Sequence, residues 1–253
     1  MTFVSDLLKG FMRVKVIQEE KSECAWSRLE DRLFSVRQQA LEEAWMRVIN
    51  MFAEVDPAKC TGCRTCEKVC PTLSISVGGE KGKKKAAVDL GYCVGCGACS
   101  ERCQFGAVTL KNLPVPKTIG VDPKAFDRKE IVKLCLKAKL HPEQVLCFCT
   151  GTRAEEIAAS ILNGASSPEE VSRTVGARTG CKVECIQPIL RLLVAAGKDP
   201  RPPAGGWQWY GLTPTVWDIP ESVIAKYTSR GFYFNEDRAL FRKLLDSAKD
   251  GGG

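Results

Sequence analysis

A chain of 253 residues, 44% hydrophobic and 26% charged, has an ordinary globular composition and room for one large domain or several small ones. No apolar run approaches the roughly 18 residues of a membrane span, and no compact apolar stretch with a small-residue cleavage site opens the chain, so a cytoplasmic protein is expected. The formal charge of +7 comes with no recognised nucleic-acid motif. Fourteen cysteines are the unusual feature. In a reducing compartment they favour metal ligation over disulfides.

Five stretches follow one another, and together they suggest an α+β chain. Residues 1–55 read as a helical N-terminal extension. Apolar residues recur at helical spacing from Trp26 through Leu29, Leu33, Ala40, Leu41, Ala44, Trp45, Val48 and Phe52, with Pro57 closing the run. A helix from about Glu23 to Ala53 would be roughly 45 Å long at 1.5 Å per residue, more than a small domain covers, so a partner chain is expected on its stripe. No candidate ligand lies in residues 1–54, so their removal is expected to leave the metal sites intact. Residues 56–113 are rich in cysteine and glycine. Residues 114–146 open with the stiff Pro114-Val115-Pro116, read as a linker, and continue as a Lys-rich helix ending near His141-Pro142. Residues 147–198 hold helices between two cysteine pairs, with capping boxes read at Thr152 to Glu155 and Ser167 to Glu170. Residues 199–253 pass from a Pro/Gly run through a Trp-rich loop (Trp207, Trp209, Trp217) to a charged C-terminal helix.

The second stretch repeats. Cys60, Cys63, Cys66 and Cys70 recur 33 residues later as Cys93, Cys96, Cys99 and Cys103, and a β-prone segment follows each set (Leu73 to Val77, Ala107 to Leu110). In C-x2-C-x2-C-x3-C, three thiolates wrap one cubane cluster and the fourth reaches its neighbour. Cys60, Cys63, Cys66 and Cys103 would hold one 4Fe–4S cluster; Cys70, Cys93, Cys96 and Cys99 would hold the other. Paired zinc sites also use C-x2-C but leave half of each run unexplained. Gly62, Gly95 and Gly97 suit the tight wrap. The Lys-rich insertion from Gly78 to Lys85 reads as a hairpin tip, either plainly solvated or able to dock an acidic redox partner.

These residues resemble the bacterial two-cluster ferredoxins over about residues 56–113, implying a ferredoxin-like two-cluster domain. Cys70-Pro71 matches the terminal Cys-Pro of that family; Cys103-Gln104 departs from it.

A second constellation joins Cys147-Phe148-Cys149 to Cys181-Lys182-Val183-Glu184-Cys185. Cys181 and Cys185 are expected on one face of a helix continuing through Ile189, Leu190 and Leu193. Such a set can surround a small anionic centre facing helix amino termini. Cys147-x-Cys149-x-Gly151 and Arg178-Thr179-Gly180-Cys181 resemble the bacterioferritin-associated ferredoxin family. That implies a small all-α domain in which Cys147, Cys149, Cys181 and Cys185 bind a 2Fe–2S cluster. The family ends in C-x2-C, this chain in C-x3-C, and structural zinc is the alternative at this site.

With all-cysteine ligation each oxidised centre adds about −2, so three would offset most of the +7. No nucleic-acid partner and no membrane span are expected. Cys24 and Cys135 fall outside the sets and read as buried inert thiols. His141, the sole histidine, reads as a turn or surface residue, so no Ser-His or Cys-His machinery is available. No nucleotide-binding glycine motif occurs. The iron–sulfur families implied here accompany flavin-dependent oxidoreductases. The expected role is therefore a complex subunit without a catalytic site of its own, relaying electrons to or from a flavin-containing subunit. A free carrier exchanging with soluble redox partners, or an iron–sulfur sensor or assembly protein, is the alternative.

Overall fold

The computed structural model describes residues 45–202 and 207–250. The expected helix from Glu23, with Trp26, Leu29, Leu33, Ala40, Leu41, Ala44 and Cys24, lies outside the described residues. Where that helix was expected to continue, through Trp45, Val48 and Phe52, the chain instead forms strand β1 (Arg47–Val55). It pairs antiparallel with β4 (Val108–Ile119), Val55 opposite Val108 and Arg47 opposite Ile119. β-branched Val48, Ile49 and Val55 suit the strand, and the first five residues alternate between half-buried and exposed. The helical spacing was real in the sequence, but a ladder to residues 53 to 72 positions away outweighs local periodicity.

The linker expectation at Pro114-Val115-Pro116 is corrected as well, because these residues belong to β4. The register slips between Ile49 and Met51, which pair with Lys117 and Asn112, so the prolines sit in the slipped stretch, where the ladder does not need their missing donors. The two cysteine repeats thus lie between β1 and β4. Between them lie the short helix α1 (Thr65–Val69), the hairpin β2 (Ile75–Gly78) and β3 (Lys85–Val88), and the short helix α2 (Ala98–Arg102). The Lys-rich insertion is the exposed tip of that hairpin. Ala53, Ile75, Val77 and Val108 pack with Cys66, Cys93 and Cys99 in a small core.

A larger core lies in the helical region: α3 (Arg128–Lys137), α4 (Ala154–Leu162), α5 (Pro168–Val175) and α6 (Ile186–Ala195). Ile131, Ile157, Val171, Ile189, Leu192 and Leu193 are fully buried there. This region is not purely helical, since β5 (Val145–Cys147) and β6 (Thr152–Arg153) form a minimal ladder before α4. Consequently Thr152 is a strand residue, and α4 is capped by the Glu156 carboxylate, which accepts from the Arg153 amide at 2.8 Å. Ser167 caps α5 as expected, accepting from the Glu170 amide at 3.3 Å. Beyond it, Gln187 of α6 pins the segment after Trp209, donating to the Gly211 carbonyl and accepting from the Thr213 amide. Helices α7 (Glu221–Thr228) and α8 (Phe234–Asp250) complete the chain.

Candidate metal centres

The two cysteine repeats are built alike. Each loop turns through left-handed backbone at Gly62 and Arg64 or at Gly95 and Gly97, and a five-residue helix follows. These glycines are required by contact as well as by conformation. A Cβ on Gly62 would strike the Lys84 carbonyl beside β3, and one on Gly95 the Met51 carbonyl of β1. Each loop is therefore pressed against a different strand pair.

Cys60, Cys63, Cys66 and Cys103 line one cavity; Cys70, Cys93, Cys96 and Cys99 line another. In each, the last cysteine of one repeat joins three from the other. Backbone amides aim at the sulfurs: Ala86 at Cys60 (3.4 Å), Ala107 at Cys103 and Ser74 at Cys70 (both 3.3 Å). Such donors stabilise thiolate charge. Burial would raise the Cys70 thiol, yet the Ser74 and Thr72 hydroxyls and amides hold it below its ordinary value. Cys99 is pushed up to about 12, by burial first and then by repulsion from Cys96, Cys70 and Cys93. Burial, with repulsion from Cys60 and Cys63, raises Cys66 likewise. Thiols that repel one another when ionised share a space that suits a positively charged core.

The third set forms two pairs. Cys147 and Cys185 are buried together, and the hydrogen bond from Cys185 drops the Cys147 thiol to about 5 while the Cys185 thiol is pushed up. Cys149 and Cys181 form the exposed pair, with the Cys181 amide donating to the Cys149 sulfur at 3.3 Å. Gly180 makes this approach possible, since a Cβ there would lie 2.5 Å from the Cys149 Cβ and 2.7 Å from its sulfur. Among the described residues no three Cys, His, Asp or Glu side chains close on one point as ligands of a single ion. The expectation that Cys181 and Cys185 share a helical face is overturned. The chain turns through left-handed Lys182, and α6 starts only after Cys185. The amides of Glu184 and Val183, together with Cys149, lower the Cys181 thiol.

Residues that the sequence reading did not count among the ligands shape this third site. Arg178, 5% exposed with left-handed backbone, presents its main chain to Cys147 and Cys185. Its guanidinium pairs with buried Glu169 at 2.9 Å while its buried Nε has no partner, and its positive charge favours the ionised Cys185 thiol. Tyr210 donates to the other Glu169 oxygen at 3.0 Å; burial first, then the Glu169 charge, raises its hydroxyl pKa. On the outer side, Phe148 is 77% exposed and Val183 65%, so apolar side chains flank the exposed cysteine pair.

The remaining candidates sit as follows. Cys135 is fully buried, its thiol pushed up to about 12 by burial. His141 accepts the Glu143 amide in a turn. Of the tryptophans of the Trp-rich stretch, Trp217 packs on Phe241, Trp207 lies under Lys68 and donates to Glu67, and Trp209 is fully exposed.

Residues 59–107 match the family model described as a 4Fe-4S dicluster domain, and residues 145–195 match that of a BFD-like [2Fe-2S] binding domain. No curated protein matches the chain. The chain thus carries 4Fe–4S and 2Fe–2S binding domains in that order, and iron–sulfur domains imply electron transfer. Among the described residues, no helix is long and apolar enough to cross a membrane.

Proposed function

We propose that this chain is the electron-transfer subunit of an oxidoreductase complex, relaying electrons through two 4Fe–4S centres and one 2Fe–2S centre to or from a flavin-containing partner. The observation that carries the reading is the sorting of twelve cysteines into three sets of four within one compact unit. Cys60, Cys63, Cys66 and Cys103 would hold the first centre, Cys70, Cys93, Cys96 and Cys99 the second, and Cys147, Cys149, Cys181 and Cys185 the third. Bound clusters supply one-electron redox chemistry. The protein supplies thiolates, sulfur-directed amides and enclosure, which fix each centre's position and tune its potential.

One feature favours a two-iron centre over zinc at the third site. Zinc wants four donors about one ion, whereas the thiols lie as two pairs. Phe148 and Val183 favour a protein partner, because they offer it apolar contact beside the exposed pair. The test is metal content after anaerobic purification: about ten iron atoms and about ten acid-labile sulfides per chain are expected. About eight of each with one zinc would reassign the third site as structural.

A further inference from the structure

We infer that the centre of Cys70, Cys93, Cys96 and Cys99 is the middle member of the relay, and that Arg173 of α5 is the positioning residue that couples it to the 2Fe–2S domain and raises its potential. This rests on the relay reading above. Arg173 leaves the helical region to donate from Nε to the Thr72 carbonyl at 2.7 Å, two residues past Cys70. Its guanidinium lies 3.8 Å from the ring centroid of Tyr92, the neighbour of Cys93. One side chain therefore grips both segments that supply this centre's thiols. The Cys60 loop is held differently, by its own hairpin through the Ala86 amide and by Trp207 over α1. The helical region thus grips the second centre's segments through Arg173, whereas the first centre's loop is held by its own hairpin and Trp207.

A guanidinium suits this junction because its planar fork can donate and stack at once, which an ammonium cannot do. Its positive charge also favours the more negative, reduced form of a nearby cluster, and local charge is one of the levers on cluster potential. Position and potential are separable. Arg173→Gln removes charge and stack, Arg173→Lys keeps only the charge, and Tyr92→Leu removes only the stack.

The experiment is a redox titration followed by electron paramagnetic resonance on the full chain, with the second centre assigned by the signal lost in Cys96→Ser. Arg173→Gln should shift that centre's one-electron equilibrium about tenfold toward the oxidised form, a fall of about 59 mV, and leave the other two in place. Pulsed photoreduction should show its exchange with the 2Fe–2S centre slowed about tenfold. Arg173→Lys should restore the potential without the rate, and Tyr92→Leu should slow the exchange at unchanged potential. Unchanged potentials and rates with only a lower melting temperature would overturn the inference, as would a shift confined to the Cys60 centre. Failure of the underlying relay reading would appear separately, as wild-type iron of about eight per chain or less.

Discussion

Burial raises the thiols of two cysteines in the helical region, and for one of them a hydrogen-bonding neighbour reverses the effect. Cys135, fully buried among apolar residues, keeps its proton because burial pushes its thiol up to about 12. Cys147 is equally enclosed but stands beside a thiol that donates to it, which drops it to about 5. A native chain exposed to iodoacetamide at pH 8 should therefore leave Cys135 unmodified until it is unfolded. Cys135→Ser should keep all cluster absorption, while Cys185→Ser should abolish the 2Fe–2S signal; loss of that signal on changing Cys135 would contradict the assignment. The Glu169–Arg178 pair is buried on both sides. Glu169→Ala would strand a buried guanidinium and is expected to cost about 3–5 kcal/mol in denaturant unfolding of the intact chain. A loss below about 1 kcal/mol would mean that water reaches the pair. The cysteine sets were legible because their local spacing is a chemical requirement. Glu169 and Arg173 were not, since the roles of both depend on partners that only the folded chain supplies, 101 residues away for Arg173 and Thr72.

At the scale of elements, β1 changes what the N-terminal region does. It pairs along β4, and Met51 backs directly on Gly95 of the second cysteine loop. Removing residues 1–54, expected from sequence to spare the clusters, should instead open that side of the second site. The truncated chain is predicted to hold about four fewer iron atoms than the full chain, with the second centre's signal missing. Full iron content would contradict the role given to β1. The strand was hidden because Trp45, Val48 and Phe52 fit a helical period as well as a strand, and periodicity cannot see a distant partner. The prolines of β4 misled for a related reason: they read as a linker unless a register slip accommodates them. Helix α5 was readable because its start is chemically local, with Ser167 as cap and Pro168 in the first turn. Cys181 was misplaced because the turn at Lys182 uses left-handed backbone on a residue that does not advertise it.

Across the whole molecule, three thiolate sets account for twelve of the fourteen cysteines and for the charge. Centres contributing about −2 each would bring a chain of formal charge +7 close to neutrality, so its basic balance is a counterweight to its cargo. Backbone donors point the same way, through the amides aimed at Cys60, Cys70, Cys103 and Cys149. Enclosure differs among the sets. The third keeps one pair exposed near Phe148 and Val183, where the proposed relay would meet a partner. The most direct measurement is anomalous scattering at the iron edge from crystals of anaerobically prepared protein. The account predicts three iron peaks: one within reach of Cys60, Cys63, Cys66 and Cys103, one of Cys70, Cys93, Cys96 and Cys99, and one between the pairs Cys147–Cys185 and Cys149–Cys181. Two iron peaks with a zinc ion at the third position, or a first peak bound by Cys70 in place of Cys103, would contradict it.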